Sequence, residues 1–515
     1  MKLVLALFIS AVGLSVASAQ FSQQGTKLVG TGESGASRLG YSVAISGDGN
    51  TVIAGGWEDS SQLGAAWIFF RNGGVWSQQG NKLVGAGSIG RPQQGISVGI
   101  SADGNTAIIG GPADSSGGGA AWIFVRNGDA WSQQGGKLVG TGAVWSNGLS
   151  HSGASQGRSV ALSGDGNTAI LGGPNDNGGY GAAWVFTRDG NAWYQQGSKL
   201  VGTGGVNGQI SGTPSEGYSV SLSADGNTAI IGGEGDAGGK GAVWIFTRSG
   251  GVWTQVGQKL VPSDEINNPD VGWSVSLSGD GNTAMTGGPY DNFSYQYGAS
   301  WIYVHTDTGW AQDGSKLFET GYTTDEHQGW SVSLSSDGNT ALIGAQGDNG
   351  GVGAGYVLSR SGDTWSLVGS KFAGNDAAGA AQQGYSAALS GDAGTAILGG
   401  PYDNSDTGAV WVFVRSTSAV NQTAPAVPAS FELGQNYPNP FNPTTKIQLT
   451  LADRQLTIVN VYDVLGRKVA TLLNEVKDPG TYTVEFNATG LASGVYYYRM
   501  AAGSFVQTKK LLLLR

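Results

Sequence analysis

The chain of 515 residues contains 91 glycines and no cysteine, and its formal net charge at pH 7 is −10. Without cysteine there are no disulfides, so stability must come from burial and sheet hydrogen bonding. The excess of acidic residues lies before residue 417. It repels phosphate, which argues against nucleic acid and anionic lipid as partners.

Residues 1–19 are predicted to be an export signal. Lys2 precedes the apolar stretch Leu3–Val16, and the small-x-small sequence Ala17-Ser18-Ala19 stands before Gln20. This pattern predicts cleavage between Ala19 and Gln20. No later segment reaches the ~18 apolar residues that a membrane-spanning helix needs, so we expect no membrane span in the mature protein.

Seven copies of one phrase follow the signal. The first reads Gly-Tyr-Ser-Val-Ala-Ile-Ser-Gly-Asp-Gly-Asn-Thr over Gly40–Thr51, and the aspartates at the same place in successive copies are 55 to 62 residues apart. The copies begin at Gly40, Gly95, Gly157, Gly217, Gly272, Gly329 and Gly384. A period of this length indicates a fold in which each copy is one supersecondary unit.

Each copy is predicted to contain four antiparallel strands and no helix. In the third copy the strands are Ser159–Ser163, Thr168–Gly172, Ala182–Arg188 and Trp193–Leu200. The turn between the first two, Gly-Asp-Gly-Asn, combines glycines that accept positive φ with an aspartate that bonds back to the backbone. No segment shows a sustained 3.6-residue period. Four strands in about 57 residues is the size of a β-propeller blade.

A displaced strand indicates that the copies close into a ring. The seventh copy ends at Arg415 after its third strand, whereas Phe21–Leu28 matches the fourth strand of the first copy, Trp76–Leu83. An N-terminal strand can complete the seventh copy only if the array is circular, and closure also removes exposed sheet edges. Residues 20–415 are therefore predicted to form a seven-bladed β-propeller rather than an open stack of sheets.

Aromatic residues mark the third strand of every copy and are expected to pack between neighbouring blades, because aromatic side chains dominate core energetics. They are Trp67, Trp122, Trp184, Trp244, Trp301, Tyr356 and Trp411.

The repeats resemble the FG-GAP family, whose propellers also occur in integrin α chains. In the third copy, Gly157 with Ser159-Val160 stands where that motif has Phe-Gly, and Gly172-Gly173-Pro174 stands where it has Gly-Ala-Pro. The resemblance covers Phe21–Arg415 and implies calcium-binding loops rich in aspartate. The turn Ser-Gly-Asp-Gly-Asn-Thr, however, offers one carboxylate, whereas Ca²⁺ takes about 6–8 oxygen ligands. We therefore expect no cofactor.

A second set of aspartates, one per copy, lies in the loop between the second and third strands. They are Asp59, Asp114, Asp176, Asp236, Asp291, Asp348 and Asp403. Two interpretations are open. Each carboxylate caps its own turn, or the seven form a ring of acceptors for a metal cation or for sugar hydroxyls.

The residue after the repeated glycine differs from copy to copy, although it always lies between that glycine and a serine. This variation makes it a candidate for ligand binding. It is Ile96 in the second copy, and in the others it is Tyr41, Arg158, Tyr218, Trp273, Trp330 or Tyr385. The start of a blade tends to lie near one mouth of the propeller axis, where aromatic rings can stack on sugars or peptide side chains. The alternative is packing along the seam between blades.

The composition changes after residue 415. Residues 416–430 (STSAVNQTAPAVPAS) are small and contain proline, which predicts a linker. Residues 431–515 alternate short apolar strands with glycines, which predicts a small Ig-like β-sandwich. The fold class expected for the whole chain is all-β.

Residues 431–515 also resemble the C-terminal sorting domain of the type IX secretion system. The matching segments are Asn436–Pro443 with Pro438, Asn439 and Pro440, then Val461–Arg467 with Gly466, then Leu491–Tyr496 with Gly494, and finally Lys509-Lys510. The resemblance implies export through the periplasm to the outer cell surface or the extracellular space, with the type IX machinery as a partner.

No recognisable catalytic constellation occurs in the sequence. His151, His305 and His327 fall in differently aligned loops without metal-ligand spacing, and Gly-x-Ser-x-Gly, His-Glu-x-x-His and P-loop motifs are missing. The adjacent carboxylates Asp264-Glu265 and Asp325-Glu326 lie in connecting loops, where neighbouring acids are usually solvated.

These features predict a non-catalytic binding or adhesion propeller that engages a polysaccharide or another surface protein. Two alternatives remain open: an extracellular glycan hydrolase or lyase on the same scaffold, and a structural surface-layer protein. Carboxylates converging at one mouth would favour hydrolysis, whereas aromatics and amides there would favour binding.

Overall fold

The computed structural model describes residues 20–145, 153–208, 212–292, 296–318, 325–416, 431–477 and 480–514. The predicted export signal at 1–19 lies outside these residues, as does most of the predicted linker 416–430. The chain divides into two compact units, Met1–Thr417 and Ser418–Arg515. In the described part of the chain, no helix has the length and apolar character needed to cross a membrane.

The first unit consists of four-stranded antiparallel sheets that follow one another along the chain. It opens with β1 (Gln20–Gln23). Blade 1 contains β2 (Ser42–Ile45), β3 (Thr51–Gly56), β4 (Ala65–Asn72) and β5 (Val75–Gln78). Blade 2 contains β6 (Ser97–Ile100), β7 (Thr106–Gly111), β8 (Ala120–Asn127) and β9 (Ala130–Gln133). Blade 3 contains β10 (Ser159–Leu162), β11 (Thr168–Gly173), β12 (Ala182–Asp189) and β13 (Ala192–Gln195).

The remaining blades repeat this plan. Blade 4 contains β14 (Ser219–Leu222), β15 (Thr228–Gly233), β16 (Ala242–Ser249) and β17 (Val252–Gln255). Blade 5 contains β18 (Ser274–Leu277), β19 (Thr283–Gly288), β20 (Ala299–Thr306) and β21 (Gly309–Gln312). Blade 6 contains β22 (Gln328–Leu334), β23 (Thr340–Ala345), β24 (Ala354–Ser361) and β25 (Thr364–Leu367). Blade 7 contains β26 (Ser386–Leu389), β27 (Thr395–Gly400) and β28 (Ala409–Ser416).

Short helical turns join the second and third strands of most blades. In the described residues they are α1 (Asp59–Gln62), α2 (Asp114–Gly117), α3 (Asp176–Gly179), α4 (Asp236–Gly239), α5 (Asp348–Gly351) and α6 (Asp403–Asp406). Each contains three residues with positive φ, such as Ser60, Ser61 and Gln62 in α1. They are tight turns rather than regular helices, so the predicted all-β fold class is confirmed.

Strand β1 completes blade 7 and closes the ring. It pairs antiparallel with β28 in a sheet of order β1-β28-β27-β26, with Gln20 opposite Ser416 and Gln23 opposite Phe413. Beyond the strand, Leu28 and Val410 exchange both backbone hydrogen bonds, at 2.7 and 3.0 Å. The first strand of blade 7, β26, lies beside β2 of blade 1. The predicted closed propeller of seven blades is therefore confirmed.

A cycle of backbone hydrogen bonds surrounds the axis where each first strand turns into the second, an end called here the lower mouth. Each residue in the cycle donates its N–H to the carbonyl oxygen of its counterpart in the next blade, over 2.9–3.0 Å. The members are Gly47, Ala102, Gly164, Ala224, Gly279, Ser336 and Gly391, and the last donates back to the first. The cycle can be complete only when all seven blades are in place.

A second cycle lies at the opposite end, called the upper mouth, where the first strands begin. The serine that opens each first strand donates its hydroxyl to the carbonyl of the repeated glycine in the next blade, over 2.7–2.9 Å. The donors are Ser42, Ser97, Ser159, Ser219, Ser274, Ser331 and Ser386. Both ends of the axial wall are thus held by cyclic hydrogen bonding.

The aromatic residues of the third strands fill the seams between blades, as predicted. Trp67 is fully buried in one cluster with Ile397 and Val412 of blade 7, and Trp122 is fully buried with Ile53 of blade 1. Their indole N–H groups donate to backbone carbonyls of the connectors, at 3.0 and 2.9 Å. Each seam therefore combines apolar burial with a satisfied polar group.

The second unit is a sandwich of two sheets, in the orders β29-β30-β33 and β32-β31-β34-β35. Its strands are β29 (Glu432–Leu433), β30 (Thr444–Leu451), β31 (Gln455–Tyr462), β32 (Lys468–Lys477), β33 (Gly480–Asn487), β34 (Gly494–Ala502) and β35 (Phe505–Leu513). Alternate residues such as Ile447, Leu449, Val459 and Tyr498 are fully buried in one core. The predicted Ig-like sandwich is confirmed.

One test of the upper cycle uses a glycine at the seam. A Cβ on Gly172 would lie 2.0 Å from the carbonyl oxygen of Gly217, the same oxygen that accepts the Ser159 hydroxyl. We expect Gly172→Ala to lower the free energy of unfolding by about 2–4 kcal/mol, because a backbone atom must move away. The measurement is a urea titration of the mature protein.

The matched control is Gly136→Ala. A Cβ at Gly136 would have no heavy atom within 4 Å. Its free energy of unfolding should change by no more than about 0.5 kcal/mol. Equal effects of the two substitutions would contradict the role assigned to the close approach at Gly172.

Candidate functional site

The seven residues that follow the repeated glycines meet in a ring at the upper mouth, called here the upper-mouth ring. They are Tyr41, Ile96, Arg158, Tyr218, Trp273, Trp330 and Tyr385, and all are half-buried. The ring centre of Tyr385 lies 4.8 Å from that of Tyr41 and 5.4 Å from that of Trp330. The ring centre of Trp273 lies 4.7 Å from that of Trp330 and 5.0 Å from that of Tyr218. The predicted candidates are thus one contiguous cluster, in which much of each aromatic surface is used in packing.

Arg158 supplies the positive charge of this cluster. Its guanidinium carbon lies 4.5 Å from the ring centre of Tyr218, a cation–π contact. Burial raises the pKa of the Tyr218 phenol to about 12, and it also raises the pKa of Tyr385. Both phenols are therefore neutral at ordinary pH and keep a hydroxyl proton to donate.

The first strands enclose an axial cavity of about 460 Å³ beneath the upper-mouth ring. Its wall includes the serines that open the first strands and the valines that follow them, among them Ser97, Val98, Ser159 and Val160. The serine hydroxyls donate their protons in the upper cycle.

A larger cavity of about 690 Å³ lies beside the ring, where the loops of blades 4 and 5 meet; it is called here the blade 4–5 pocket. Trp273 lines both this pocket and the axial cavity. Besides glycines, the pocket is lined by Thr213, Ser215, Glu234, Asn267, Asn268, Asp270, Trp273 and Tyr290. Hydroxyls, amides, two carboxyls and two aromatic rings therefore face one space.

The two carboxyls of the pocket are electrostatically unusual. Burial raises the pKa of Asp270 to about 7. Burial and the nearby Asp270 charge raise the pKa of Glu234 to about 7, against the opposing attraction of Arg158 and a hydrogen bond with Ser215. The Oε2 atom of Glu234 is buried and has no hydrogen-bond partner.

The aromatic side of the pocket is built by Trp273 and Tyr290. Their ring centres are 5.8 Å apart in an edge-to-face arrangement, and Tyr290 also meets the imidazole of His327 edge-to-face at 5.4 Å. Burial is the larger cause and the Asp270 charge the smaller cause of a raised pKa at Tyr290. The ring positions are therefore fixed by packing on two sides.

Sequence reasoning missed Glu234, Asp270 and Tyr290. A signal existed for the first: Glu234 follows the Gly-Gly pair of blade 4, where four other copies have proline (Pro112, Pro174, Pro289 and Pro401). A carboxyl at a position where four copies have proline is a departure from the repeat pattern. Asp270 lies in the connector before blade 5, so only the fold brings it to Glu234.

The predicted ring of seven aspartates is not a shared binding ring, and this corrects that interpretation. Each carboxylate is buried and binds the ammonium of a lysine that follows the fourth strand. The pairs are Asp59–Lys82, Asp114–Lys137, Asp176–Lys199, Asp236–Lys259, Asp291–Lys316, Asp348–Lys371 and Asp403–Lys27. Because a lysine already neutralises each charge, the aspartates act as separate structural ion pairs.

The second carboxylate oxygen accepts a backbone N–H from the connector that leads into the blade. The donors include Ser34 to Asp59, at 2.7 Å, and Ile89 to Asp114, also at 2.7 Å. One aspartate therefore joins its loop to the connector before the blade and to the lysine after it. Both of these partners are remote in sequence, and two copies add a local hydrogen bond, from the Ser60 hydroxyl to Asp59 and from the Ser115 hydroxyl to Asp114.

A different aspartate in each copy lies in the turn between the first and second strands, at the lower mouth, and accepts hydrogen bonds within that turn. Asp48 accepts from the Ser46 hydroxyl and from the backbone and side chain of Asn50. Burial alone would raise the pKa of Asp48, but these hydrogen bonds and Arg71 outweigh it and lower the pKa below 3.8. Within the described residues, no group of three or more His, Asp or Glu side chains is arranged to hold a metal ion.

The histidines and adjacent acids that the sequence singled out are dispersed. His305 packs edge-to-face on Trp310, and His151 lies outside the described residues. Asp264 accepts from the indole of Trp301 at 2.9 Å and from the backbone of Lys316 at 2.8 Å. These contacts are structural.

Glu216 stands immediately before the repeated glycine of blade 4, where several other copies have glutamine. In blade 3, Gln156 accepts the N–H of Gly140 and donates its amide to the carbonyl of the same residue, at 2.9 Å. Glu216 accepts the N–H of Gly202 in the same way. Only a protonated carboxyl can also donate, and burial is the main cause that raises the pKa of Glu216 to about 8.

The segments predicted as sorting motifs occupy turns and the last strand of the second unit. Pro438 and Pro440 each follow a cis peptide bond. The Oδ1 atom of Asn439 accepts the N–H of Leu512 at 2.9 Å, which ties this loop to β35. Gly466 lies in the turn after β31 with φ of +78°, Gly494 opens β34, and Lys509 and Lys510 lie on β35.

Residues 435–514 match the family model described as the secretion system C-terminal sorting domain. The second unit is a type IX secretion sorting domain. Its function is recognition by the secretion machinery, which exports the chain to the cell surface or the extracellular space. The sorting domain covers the sandwich alone, so the role of the propeller must be argued from its own residues.

A search of curated proteins found no match. Among solved structures, the chain is similar to PorZ of Porphyromonas gingivalis, described as an essential bacterial surface component of the type IX secretion system. The identity is 13%, the TM-score is 0.43, and 92% of this chain and 59% of that chain are covered. The chain thus spans 59% of the length of PorZ.

Two other propeller-containing structures are similar to this chain at about the same level. A fungal alcohol oxidase in complex with copper has 12% identity and a TM-score of 0.44, with 97% of this chain and 100% of that chain covered. The propeller domain of the Trilobed protease from Pyrococcus furiosus has 8% identity and a TM-score of 0.36, with 77% and 93% covered. Similarities at this level carry no argument about function.

The ion pair on the closing strand can be tested by Lys27→Met. The ammonium of Lys27 lies 2.6 Å from Asp403, whose side chain is 1% exposed, so the substitution leaves a buried charge unpaired. We expect a loss of about 3–5 kcal/mol in the free energy of unfolding. We also expect faster amide hydrogen exchange in β1 and β28. The exposed Lys446→Met is the control, and an equally small effect of both would contradict the assignment.

The role of Glu216 predicts a pH dependence. Because its pKa is raised from 4.5 to about 8, its stabilising contribution is complete below pH 4.5 and is lost as the pH rises towards 8. Glu216→Gln should match the wild type at acid pH and exceed its free energy of unfolding by about 5 kcal/mol above pH 8.

The reciprocal substitution serves as the control. Gln156→Glu should introduce the same loss of stability with rising pH into blade 3, since the surrounding hydrogen bonds are alike. Parallel stability–pH curves for the wild type and Glu216→Gln would show that the carboxyl does not need its proton.

Proposed function

We propose that the propeller is a non-catalytic glycan-binding module that acts at the cell surface or in the extracellular space. The observation that carries the proposal is the blade 4–5 pocket, in which amides and hydroxyls accompany two aromatic rings at the upper mouth. Sugars present hydroxyls around a ring with apolar C–H faces, so this combination of groups is complementary to them.

The size of the pocket supports a small ligand or one end of a chain. Its volume of about 690 Å³ lies within the ~300–1,000 Å³ usual for ligand sites. The exposed amides of Asn267 and Asn268 stand in a loop where Asn267 has a positive φ of 67°. Loops on a rigid scaffold are the usual place for recognition residues.

Glycoside hydrolysis is the second candidate, because Glu234 and Asp270 face the same pocket. Hydrolysis by paired carboxyls requires one group to stay protonated as the acid and the other to stay ionised. Here burial moves both pKa values in the same direction, to about 7. The amides and hydroxyls that line the same pocket favour binding over hydrolysis.

The test is a glycan array probed with the mature full-length protein, followed by calorimetry with the best ligand. Asn267→Ala combined with Asn268→Ala should weaken binding by about tenfold, the effect expected for losing one or two hydrogen bonds. Asn127→Ala, in an exposed hairpin on blade 2, should leave the affinity unchanged.

Two outcomes would contradict the proposal. A folded protein that binds no glycan but captures a purified surface protein would make the propeller a protein-binding module. Release of reducing ends from a polysaccharide, lost in Glu234→Gln, would make it an enzyme.

A further inference from the structure

One set of buried carboxylates in this propeller follows a rule: each member is neutralised by a lysine. The seven aspartates of the loops between second and third strands are all paired in this way. Their side chains are between 0 and 4% exposed. A carboxylate removed from water without a cation is costly, so the rule has a direct physical cause.

Glu234 and Asp270, which are half-buried, do not follow this rule. The Oε2 atom of Glu234 is buried without a hydrogen-bond partner, and the carboxylate of Asp270 makes neither a hydrogen bond nor an ion pair with any described residue. A Cβ on Gly239 would lie 2.9 Å from the Oδ1 atom of Asp270. Glycine at that position therefore keeps the space in front of the carboxylate open.

The nearest positive charge does not fill the gap. Arg158 attracts Glu234 at a distance, but its guanidinium is held over the ring of Tyr218. Among the described residues it makes no salt bridge with Glu234. Two acids thus share a cavity beside Trp273 and Tyr290, and no lysine or arginine of the described residues forms a salt bridge with either.

We propose that the blade 4–5 pocket binds an amino sugar, whose protonated ammonium lies between the carboxylates of Glu234 and Asp270 and beside the rings of Trp273 and Tyr290. Carboxylates bind an ammonium through charge-assisted hydrogen bonds, and aromatic faces attract it through their quadrupole. The proposal rests on the proposed glycan-binding function and names the class of sugar.

The rest of the lining favours a sugar over a lysine side chain of a protein. A lysine side chain brings one ammonium on an apolar stem, which needs no further polar partners. The pocket also presents the hydroxyl of Thr213 and the amides of Asn267 and Asn268. These groups match the hydroxyls that surround the amine of an amino sugar.

The test compares two probes that differ at the nitrogen of each sugar, which is a free amine in one and an uncharged acetamide in the other. One is an oligosaccharide of β-1,4-linked glucosamine with free amines, and the other is the same oligosaccharide fully N-acetylated. Calorimetry with the mature full-length protein should show binding of the amine form about tenfold tighter or more. The comparison needs only the wild-type protein, so it does not depend on how any variant folds.

Variants show whether the amine oligosaccharide is selected by the pocket carboxylates or by the net negative charge of the protein. Glu234→Gln with Asp270→Asn should reduce the preference for the amine form to about one, since both charges are removed. Asp189→Asn removes an exposed carboxylate at the end of β12 and should keep the full preference. Loss of preference in Asp189→Asn as well would mean that net charge, not the pocket, selects the amine.

The remaining outcomes distinguish this proposal from the one on which it rests. Equal or tighter binding of the N-acetylated form, weakened by the Asn267 and Asn268 substitutions, would overturn the amino-sugar assignment and leave glycan binding intact. Absence of binding to every glycan would overturn both. A lysine-rich peptide that displaces the amine oligosaccharide at equal ammonium concentration would assign the pocket to a protein ligand instead.

Discussion

The closed ring is the constraint on which the rest of the propeller depends. Two cycles of hydrogen bonds, one through the backbone from Gly47 to Gly391 and one through the serine hydroxyls, run around the axis without a free end. A net hydrogen bond is worth only about 1 kcal/mol, but an unmade one at a buried site costs more. Removal of any blade would leave one donor and one acceptor unpaired in each cycle. The fold therefore favours a complete ring over any partial one, and the Lys27–Asp403 pair reinforces the strand that completes it.

Repetition also makes the individual departures informative. Residues that stabilise the blades recur in nearly every copy. They are the serine of the upper cycle, the buried aspartate with its lysine, and the aromatic residue of the third strand. Blade 4 departs twice, with Glu216 where glutamine recurs and Glu234 where proline recurs. Both carboxyls lie on the upper side and both have raised pKa values, mainly through burial. Blade 4 also contributes to the lining of the 690 Å³ blade 4–5 pocket.

The sequence was sufficient for the architecture because the relevant signals are periodic or local. Seven copies, a missing fourth strand after Arg415 and its counterpart at Phe21 predict the closed ring, and glycine-punctuated strands predict the sandwich. Partnerships were harder to predict. Asp59 and Lys82 are 23 residues apart in different loops, so nothing local indicates that they meet. Asp270 and Glu234 belong to successive repeats and share a pocket only because the ring places their loops together. The upper-mouth ring was predicted as a cluster, but its mutual packing depends on side-chain directions that a repeat pattern does not specify.

The strand that closes the ring comes from the far end of the chain, and this separation has a consequence for assembly. Gln20 and Ser416 are in contact across 396 residues. Because contacts between residues so far apart in sequence are slow to form, we expect this pairing to form late in folding. Until then, blade 7 exposes an edge that fits the β1 segment of any copy of the protein. Two chains at high local concentration can therefore exchange these segments and form a swapped dimer with every native contact intact. Dilution during export favours the alternative in which each chain supplies its own strand.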